Sequence, residues 1–545
     1  MEFKINNPNT DAKVEICNLK TENQITTFDV VVDFSKPTIP KALSVFFNFD
    51  SVDVYALWSP SIRYTRFIGV TWEMQTSYSR LASWMPLHTL ISAKGDNRLT
   101  IAISDAKTPT SISTGIDEGT ALFNCVISFF TIKVAPLTHY TATVRLDCRS
   151  QPYYDSIYEV TKWWEKDCGY TPAYVPEHAK LPMNSLWYSY HHNLSDKEIL
   201  KQCKLSKEYG LETVIVDDGW QSDTGVGYIT CGDWNVSKTK FPNFKNFITE
   251  VHNIGLKVML WFSVPFIGIQ TKNYQRFKNM LLDQVTGTDD YSVLDPRYKE
   301  VRDYLIETYS NAVKMGLDGL KLDFIDWFCL KGKSLEYDEK RDYQSLEDAI
   351  DRLMIDITNA LREINPEILI EFRQTYVGPA IRKYGNMLRV GDCPNDCFKN
   401  RNNVINLRFT SGDTAVHSDM LTWSYNDKVE SAALQVISVL YSVPQISVKL
   451  DVLNYEHKKM LNFYMKFWRE NRDVLLFGKL FAYNPESGYS QAGSLKNGNA
   501  VITCYTNNFI DASAYNKTIV VNSSKNDSVI IKGAINKNYS VVSCM

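Results

Sequence analysis

The sequence predicts a central (β/α)8 barrel with a β-sandwich before it and a small antiparallel β-domain after it. Three observations point there. Between residues 183 and 470, eight short β-type runs alternate with helical patterns, which is the rhythm a parallel barrel requires. Before that stretch the chain offers β-type runs and turn segments with no convincing helix until about residue 154. After residue 471 it returns to short β-rich runs.

In the first segment, Val30–Phe34, Leu99–Ile103 and Phe129–Val134 are short, rich in β-branched or aromatic residues and separated by turn formers, as in an antiparallel sandwich. A helix near Tyr154–Lys166 and the Pro-containing stretch Tyr170–Pro182 lead out of it, so the sandwich is expected to span 1–178. The barrel, 179–470, takes its strands from Ser185–Tyr190, Glu212–Asp217, Lys257–Phe262, Gly319–Phe324, Ile368–Arg373, Met387–Asp392, Ala415–Asp419 and Gln445–Leu450. Its helices are expected at Asp196–Tyr209, Tyr298–Met315, Leu346–Ile364, Lys428–Tyr441 and Glu456–Glu470. A doubly wound sheet is the competing arrangement, but no GxGxxG follows the first run. Within 471–545, Ala500–Cys504, Lys517–Val521 and Val529–Ile531 are the strand candidates.

Composition narrows the function. Hydrophobic residues at 44% and charged residues at 22% describe a globular chain and exclude a disordered one. Lys plus Arg, 59, nearly balance Asp plus Glu, 62, so neither a nucleic acid nor an anionic membrane is an expected partner. No apolar run reaches the roughly 18 residues of a membrane span, and the first residues lack the apolar core of a secretory signal. Eleven scattered cysteines read as reduced thiols, and a cytoplasmic location is expected. The 12 Trp, 31 Tyr and 26 Phe suit flat sugar-binding platforms and large β-rich cores equally.

Barrel enzymes place their chemistry at the C-terminal ends of the strands. Four ends stand out: Asp217-Asp218-Gly219-Trp220-Gln221, Lys321-Leu322-Asp323, Arg389-Val390-Gly391-Asp392 and His417-Ser418-Asp419. A strand-end Asp also caps loops, Lys321 with Asp323 also makes a structural ion pair, and Asp217 and Asp218 point to opposite faces of a regular strand. Convergence of so many charges on one mouth is what those separate readings leave unexplained, because burying them unpaired is costly. Two carboxylates flanking a sugar are the minimum apparatus for glycoside hydrolysis, a Lys beside one keeps it ionised, and further carboxylates accept from pairs of sugar hydroxyls. Eight His with neither HxH nor HExxH, and a lone Cys393-Pro394-Asn395-Asp396-Cys397 pair, lead to the expectation of no metal and no cofactor.

Taken in order, Val216-Asp217-Asp218-Gly219-Trp220-Gln221, Gly232-Asp233-Trp234 with Phe241-Pro242, Leu260-Trp261-Phe262, Gly319-Leu320-Lys321-Leu322-Asp323 and Arg389-Val390-Gly391-Asp392 resemble the family 36 glycoside hydrolases (melibiases, α-galactosidases) and their clan relatives in families 27 and 31. The resemblance covers roughly 180–470. It implies a retaining double displacement that removes terminal α-galactose from an oligosaccharide or glycoside, with Asp323 as nucleophile and Asp392 as acid, then base. It also implies that Asp217, Asp218 and Lys321 bind the terminal sugar and that Trp220, Trp234 and Trp261 shape the pocket. Asp396 is the rival acid, Arg389 is expected to hold substrate or tune the acid, Arg373 is a candidate for substrate contact, and assembly into dimers or tetramers is implied.

Two departures matter. Glu371-Phe372-Arg373-Gln374 stands where common members carry a Cys- and Gly-rich segment around the sugar's second position, and Gly391 stands where a Ser usually precedes the acid. Glu371 and Arg373 share a face, where they either reach substrate or pair with each other. The alternatives kept beside the α-galactosidase are an α-N-acetylgalactosaminidase, an α-galactosyl transglycosylase, a metal-dependent barrel enzyme holding a metal on Asp217, Asp323 and Asp392, and a non-catalytic sugar-binding protein.

Overall fold

The computed structural model describes residues 1–61, 66–223, 227–284, 290–330, 338–373, 375–533 and 538–542. Gln374 lies outside the described residues.

Residues up to 147 form two antiparallel sheets of five and six strands packed face to face. Alternation fixes which face is inside. Phe28, Val30 and Val32 of Ile25–Thr38 meet Phe123, Cys125, Ile127 and Phe129 of Leu122–Phe129 in a common core. The expected strand Phe129–Val134 is corrected: Phe130 turns into the left-handed region at φ 58° and ends the strand at Phe129.

Eight parallel strands close the barrel: Met183–Ser185, Thr213–Val216, Lys257–Ser263, Gly319–Asp323, Leu369–Arg373, Met387–Arg389, Ala415–Leu421 and Val443–Ile446. The first pairs with the last through Met183 and Gln445. The first strand sits earlier than expected. Leu186 adopts a helical conformation, and Trp187–Tyr190 becomes a helical turn at the mouth in place of a strand. Helices Phe244–Ile254, Lys272–Phe277 and Cys397–Thr410 carried no expectation.

Side-chain alternation builds the barrel interior in two layers. Met183, Ile215, Met259, Leu369, Met387 and Ala415 pack together as an apolar floor. Two or four residues further along the same strands, on the same face, come Asp217, Trp261, Glu371, Arg373, Arg389, His417 and Asp419. The fourth strand joins the floor with Gly319, where a Cβ would stand 2.6 Å from that of Leu369, so close approach explains the glycine. Lys321 and Asp323 then follow on its inward face.

Helix Tyr153–Lys166 lies between the sandwich and the barrel and buries Tyr153, Ile157, Val160 and Trp164. The sandwich also reaches the barrel mouth. Arg80 donates to the carbonyls of Asp326 (2.6 Å) and Phe328 (2.9 Å), and the Trp84 amide donates to the Thr375 carbonyl (2.6 Å).

The C-terminal sheet, Lys479–Tyr483, Gln491–Lys496, Asn499–Cys504 and Lys517–Asn522, is mixed where an antiparallel one was expected. Its last two strands run parallel, as do Phe509–Asp511 and Ile530–Lys532. Among the described residues, no helix is long and apolar enough to cross a membrane.

Candidate active site

The polar layer of the barrel opens at the strand C-termini, and its carboxylates are met one by one with donors. Asp323, the last residue of the fourth strand, is 3% exposed. Its Oδ1 accepts from Arg373 Nε (2.6 Å), the Tyr376 hydroxyl (2.6 Å) and the Phe324 amide (2.8 Å); its Oδ2 accepts from Trp261 Nε1 (2.8 Å). Burial alone would raise this carboxyl, but Arg373, then Lys321, and the Tyr376 and Trp261 hydrogen bonds together hold it below the usual range.

Asp392 follows the sixth strand, and its side chain keeps 43% of its surface open. Oδ1 accepts from Arg389 Nη1 (2.8 Å) and Oδ2 from Arg373 Nη1 (3.3 Å). Partial burial pushes its carboxyl up, and Arg389, Arg373 and Lys321 outweigh that push and hold it well below the usual carboxylate range. One guanidinium, that of Arg373, therefore touches both Asp323 and Asp392. Of the two readings kept for Glu371 and Arg373, their pairing with each other gives way to this bridge. Glu371 instead accepts from Gln445 Nε2 and lies 3.8 Å from Arg389 Nε.

Asp217 takes Lys321 Nζ on Oδ2 at 2.6 Å, and its Oδ1 accepts from the Asp218 amide (2.9 Å). Because the second strand ends at Val216, both carboxylates turn inward, and each is 4% exposed. Asp218 meets His192 Nε2 at 3.0 Å and accepts from Gln221 Nε2 at 2.6 Å. Gly219, at φ +105°, lets this loop press on His192: a Cβ there would stand 2.9 Å from the His192 Cα.

The three tryptophans form one wall. Trp220 is fully buried, donates to the Trp261 carbonyl (2.8 Å) and stacks on Trp234 at 6.0 Å, while Trp234 is half-buried. Trp220 thus supports the rings beside it.

Arg389 Nη1 is shared between Asp392 and Asp419 Oδ1, the latter at 2.7 Å. Asp396, expected as the rival acid, is exposed and caps helix Cys397–Thr410 by accepting from the Lys399 amide (2.9 Å). Cys393 and Cys397 are free thiols. The carboxylates considered for a metal, Asp217, Asp323 and Asp392, each hold a side-chain cation, and among the described residues no three His, Cys, Asp or Glu group as a metal set.

Four neighbours of the site carried no sequence expectation: Tyr188, His192, Tyr376 and Gln445. Tyr376 stands three residues beyond a strand end and Tyr188 in the helical turn, so no strand-end rule points to them. Asp419 was visible as the polar end of the seventh strand.

Residues 172–375 match the Melibiase family model. The α-galactosidase Mel36A of Lactobacillus acidophilus is 30% identical over 194 residues, which is 34% of this chain and 26% of that protein. AgaA of Geobacillus stearothermophilus is 26% identical over 147 residues, covering 26% of this chain and 20% of that α-galactosidase. The matched stretches thus span about a quarter or less of those relatives' length. Structural likeness extends further. The galactosidase domain of AgaSK superposes with a TM-score of 0.66 at 14% identity, over 91% of this chain and 76% of that one. The crystal structure of AgaA gives 0.62 at 14%, over 90% and 78%. Residues 172–375 of this chain thus match the Melibiase family model and are similar in sequence to α-galactosidases, and the chain shares the multidomain barrel fold of the family 36 α-galactosidase structures.

Proposed function

We infer that the chain is a retaining glycoside hydrolase that removes terminal α-galactose, with Asp323 as nucleophile and Asp392 as general acid and then base. The observation that carries this reading is the Arg373 bridge. One guanidinium hydrogen-bonds both carboxylates, so Asp323 and Asp392 face a common space at the barrel mouth, as a nucleophile and an acid flanking one sugar must; the retaining course is the one that the resemblance to family 36 implies. The names of the relatives supply the sugar.

The chemistry follows from who holds which oxygen. Asp323 Oδ1 is committed to three donors and Oδ2 to one, so Oδ2 attacks the anomeric carbon as the bond to the leaving oxygen breaks. Asp392, protonated in the substrate complex, gives its proton to that oxygen. It then takes one from the water that cleaves the glycosyl–Asp323 ester. For the first step the sugar must replace Arg373 on Asp392. Asp217 and Asp218 are acceptors for sugar hydroxyls, Lys321 is a donor beside the nucleophile, and the exposed part of Trp234 offers an apolar face.

The test is a set of initial rates on aryl α-galactoside, α-N-acetylgalactosaminide, α-glucoside and α-xyloside, with and without EDTA. Turnover of the galactoside, unchanged by EDTA, is expected. Preference for another sugar would move the specificity question to Glu371 and Arg373. Loss in EDTA with rescue by Mg²⁺ would overturn the two-carboxylate mechanism.

A further inference from the structure

A general acid must carry a proton when the glycosidic oxygen needs it, yet Asp392 sits between two guanidinium groups that favour its ionised form. Arg389 is the closer of the two and is 1% exposed. A buried cation cannot give up a counter-charge unless another is at hand. Asp419, fully buried at the end of the seventh strand, is that counter-charge. Its Oδ1 takes the same Arg389 Nη1 at 2.7 Å, and its Oδ2 accepts from the Cys393 amide (2.6 Å) and the Tyr188 hydroxyl (3.0 Å).

We propose that Asp419 is a positioning residue for the acid: by anchoring Arg389 from behind, it lets Asp392 become protonated and donate without leaving that guanidinium uncompensated. This rests on Asp392 being the acid, as inferred above. The shared Nη1 is the structural ground. One nitrogen serves the open carboxylate and the buried one, and Glu371 Oε1, 3.8 Å from Arg389 Nε, adds a second buried acidic group on the far side. When a leaving-group oxygen approaches Asp392, Arg389 keeps Asp419, so the ion pair at rest turns into an acid–acceptor pair at the substrate.

The groups around Asp392 come from the neighbouring strands, Lys321 from the fourth, Glu371 and Arg373 from the fifth, Arg389 from the sixth and Asp419 from the seventh, with Tyr188 from the helical turn Trp187–Tyr190 and Cys393 from a loop. Each direct neighbour of Asp419 named above is a donor, which is the hydrogen-bonding pattern of a carboxylate. Burial, with the neighbouring Asp392 charge, leaves the Asp419 carboxyl above its usual range even though Arg389 and the Cys393 amide pull it down, so the charge-favouring contacts named above are what it depends on.

The sign of the effect is fixed by charge. Asp419→Asn removes the negative charge behind Arg389, the full pull of the guanidinium falls on Asp392, and Asp392 gives up its proton at lower pH. The experiment measures kcat/KM against pH for the full chain and D419N on two α-galactosides. One has a nitrophenyl leaving group that needs little protonation, and the other a methyl or sugar leaving group that needs much. On the poor leaving group, D419N is expected to lose about 100-fold or more, with the alkaline limb displaced to lower pH; on the nitrophenyl substrate the loss stays below about tenfold. Equal losses on both, with an unmoved alkaline limb, overturn the proposal, since damage to the fold hurts both alike. If D419N does not fold by circular dichroism, Arg389→Lys carries the same test, because the shorter, differently shaped ammonium side chain does not reproduce the position of the Nη1 that both carboxylates share. Selective loss on the poor leaving group supports the proposal, and equal loss overturns it. A wild-type chain inactive on both galactosides, or an Asp323→Ala variant at full rate, overturns the assigned function and this proposal with it, and shows before any Asp419 variant is made.

Discussion

Arg373 Nε donates to Asp323 Oδ1 at 2.6 Å, and both side chains are almost fully buried. Among the causes that lower the Asp323 carboxyl against burial, this guanidinium is the largest. A carboxyl lowered on folding contributes stability, and here nucleophile charge, above its unfolded value; both are lost as pH falls through the lowered value. On a nitrophenyl α-galactoside, which needs little acid assistance, kcat/KM should therefore persist below the ordinary Asp value of about 3.9. Arg373→Gln should move that acid limb to higher pH. A limb that stays in place would show that Arg373 does not set the charge of the nucleophile.

Asp323→Ala should lower turnover by several orders of magnitude, the cost of removing a group that forms the covalent intermediate. Azide should restore part of the rate and give the inverted glycosyl azide, seen by NMR of the product. Near-normal turnover without azide would remove Asp323 from the role.

Asp392→Ala should spare the first step with nitrophenyl substrates and cost roughly 10²- to 10⁴-fold with alkyl ones. Asp396→Ala should leave both rates alone and lower stability by about 1 kcal/mol, because its carboxylate caps helix Cys397–Thr410. The opposite pattern, seen in the same leaving-group series, would exchange the two assignments.

Lys321 and Asp217 form an ion pair with side chains 4% and 5% exposed. Replacing Lys321 by Met leaves a buried carboxylate without its cation and should cost about 3–5 kcal/mol in denaturant unfolding. The double variant Lys321→Met with Asp217→Leu should recover most of that stability while remaining inactive. Such a split would place the pair in substrate binding, since an apolar replacement satisfies the fold and not the sugar.

The parts of the chain read correctly from sequence are those where local pattern and tertiary environment agree. The fourth strand is one such part: Gly319–Asp323 alternates in a way only an inward-facing barrel strand explains. The two layers of the barrel follow from the same alternation. Helix Cys397–Thr410 was hidden because it is buried on nearly every side and filled with Asn400, Asn402, Asn403 and Asn406, which are weak helix formers that carry no apolar stripe. Trp187–Tyr190 read as strand because its aromatics favour strands, and only the turn at Leu186 sends them to the mouth. Tyr376 escaped for a different reason: it reaches Asp323 from a loop, and loop geometry leaves no periodic trace.

The segment Arg80–Trp84 ties together the loops that carry Asp326 and Thr375, and Thr375 Oγ1 in turn donates to Asp326 at 2.7 Å. Tyr376, which holds the proposed nucleophile, is the next residue. The portion of the chain that matches the Melibiase family model begins at residue 172, after this clasp has been made. A fragment cut at that point would contain every proposed catalytic carboxylate and lack the brace that sets the loop bearing Tyr376. What can be aligned is thus smaller than what can be transplanted, and a chimera that borrows the barrel must borrow the sandwich rim with it.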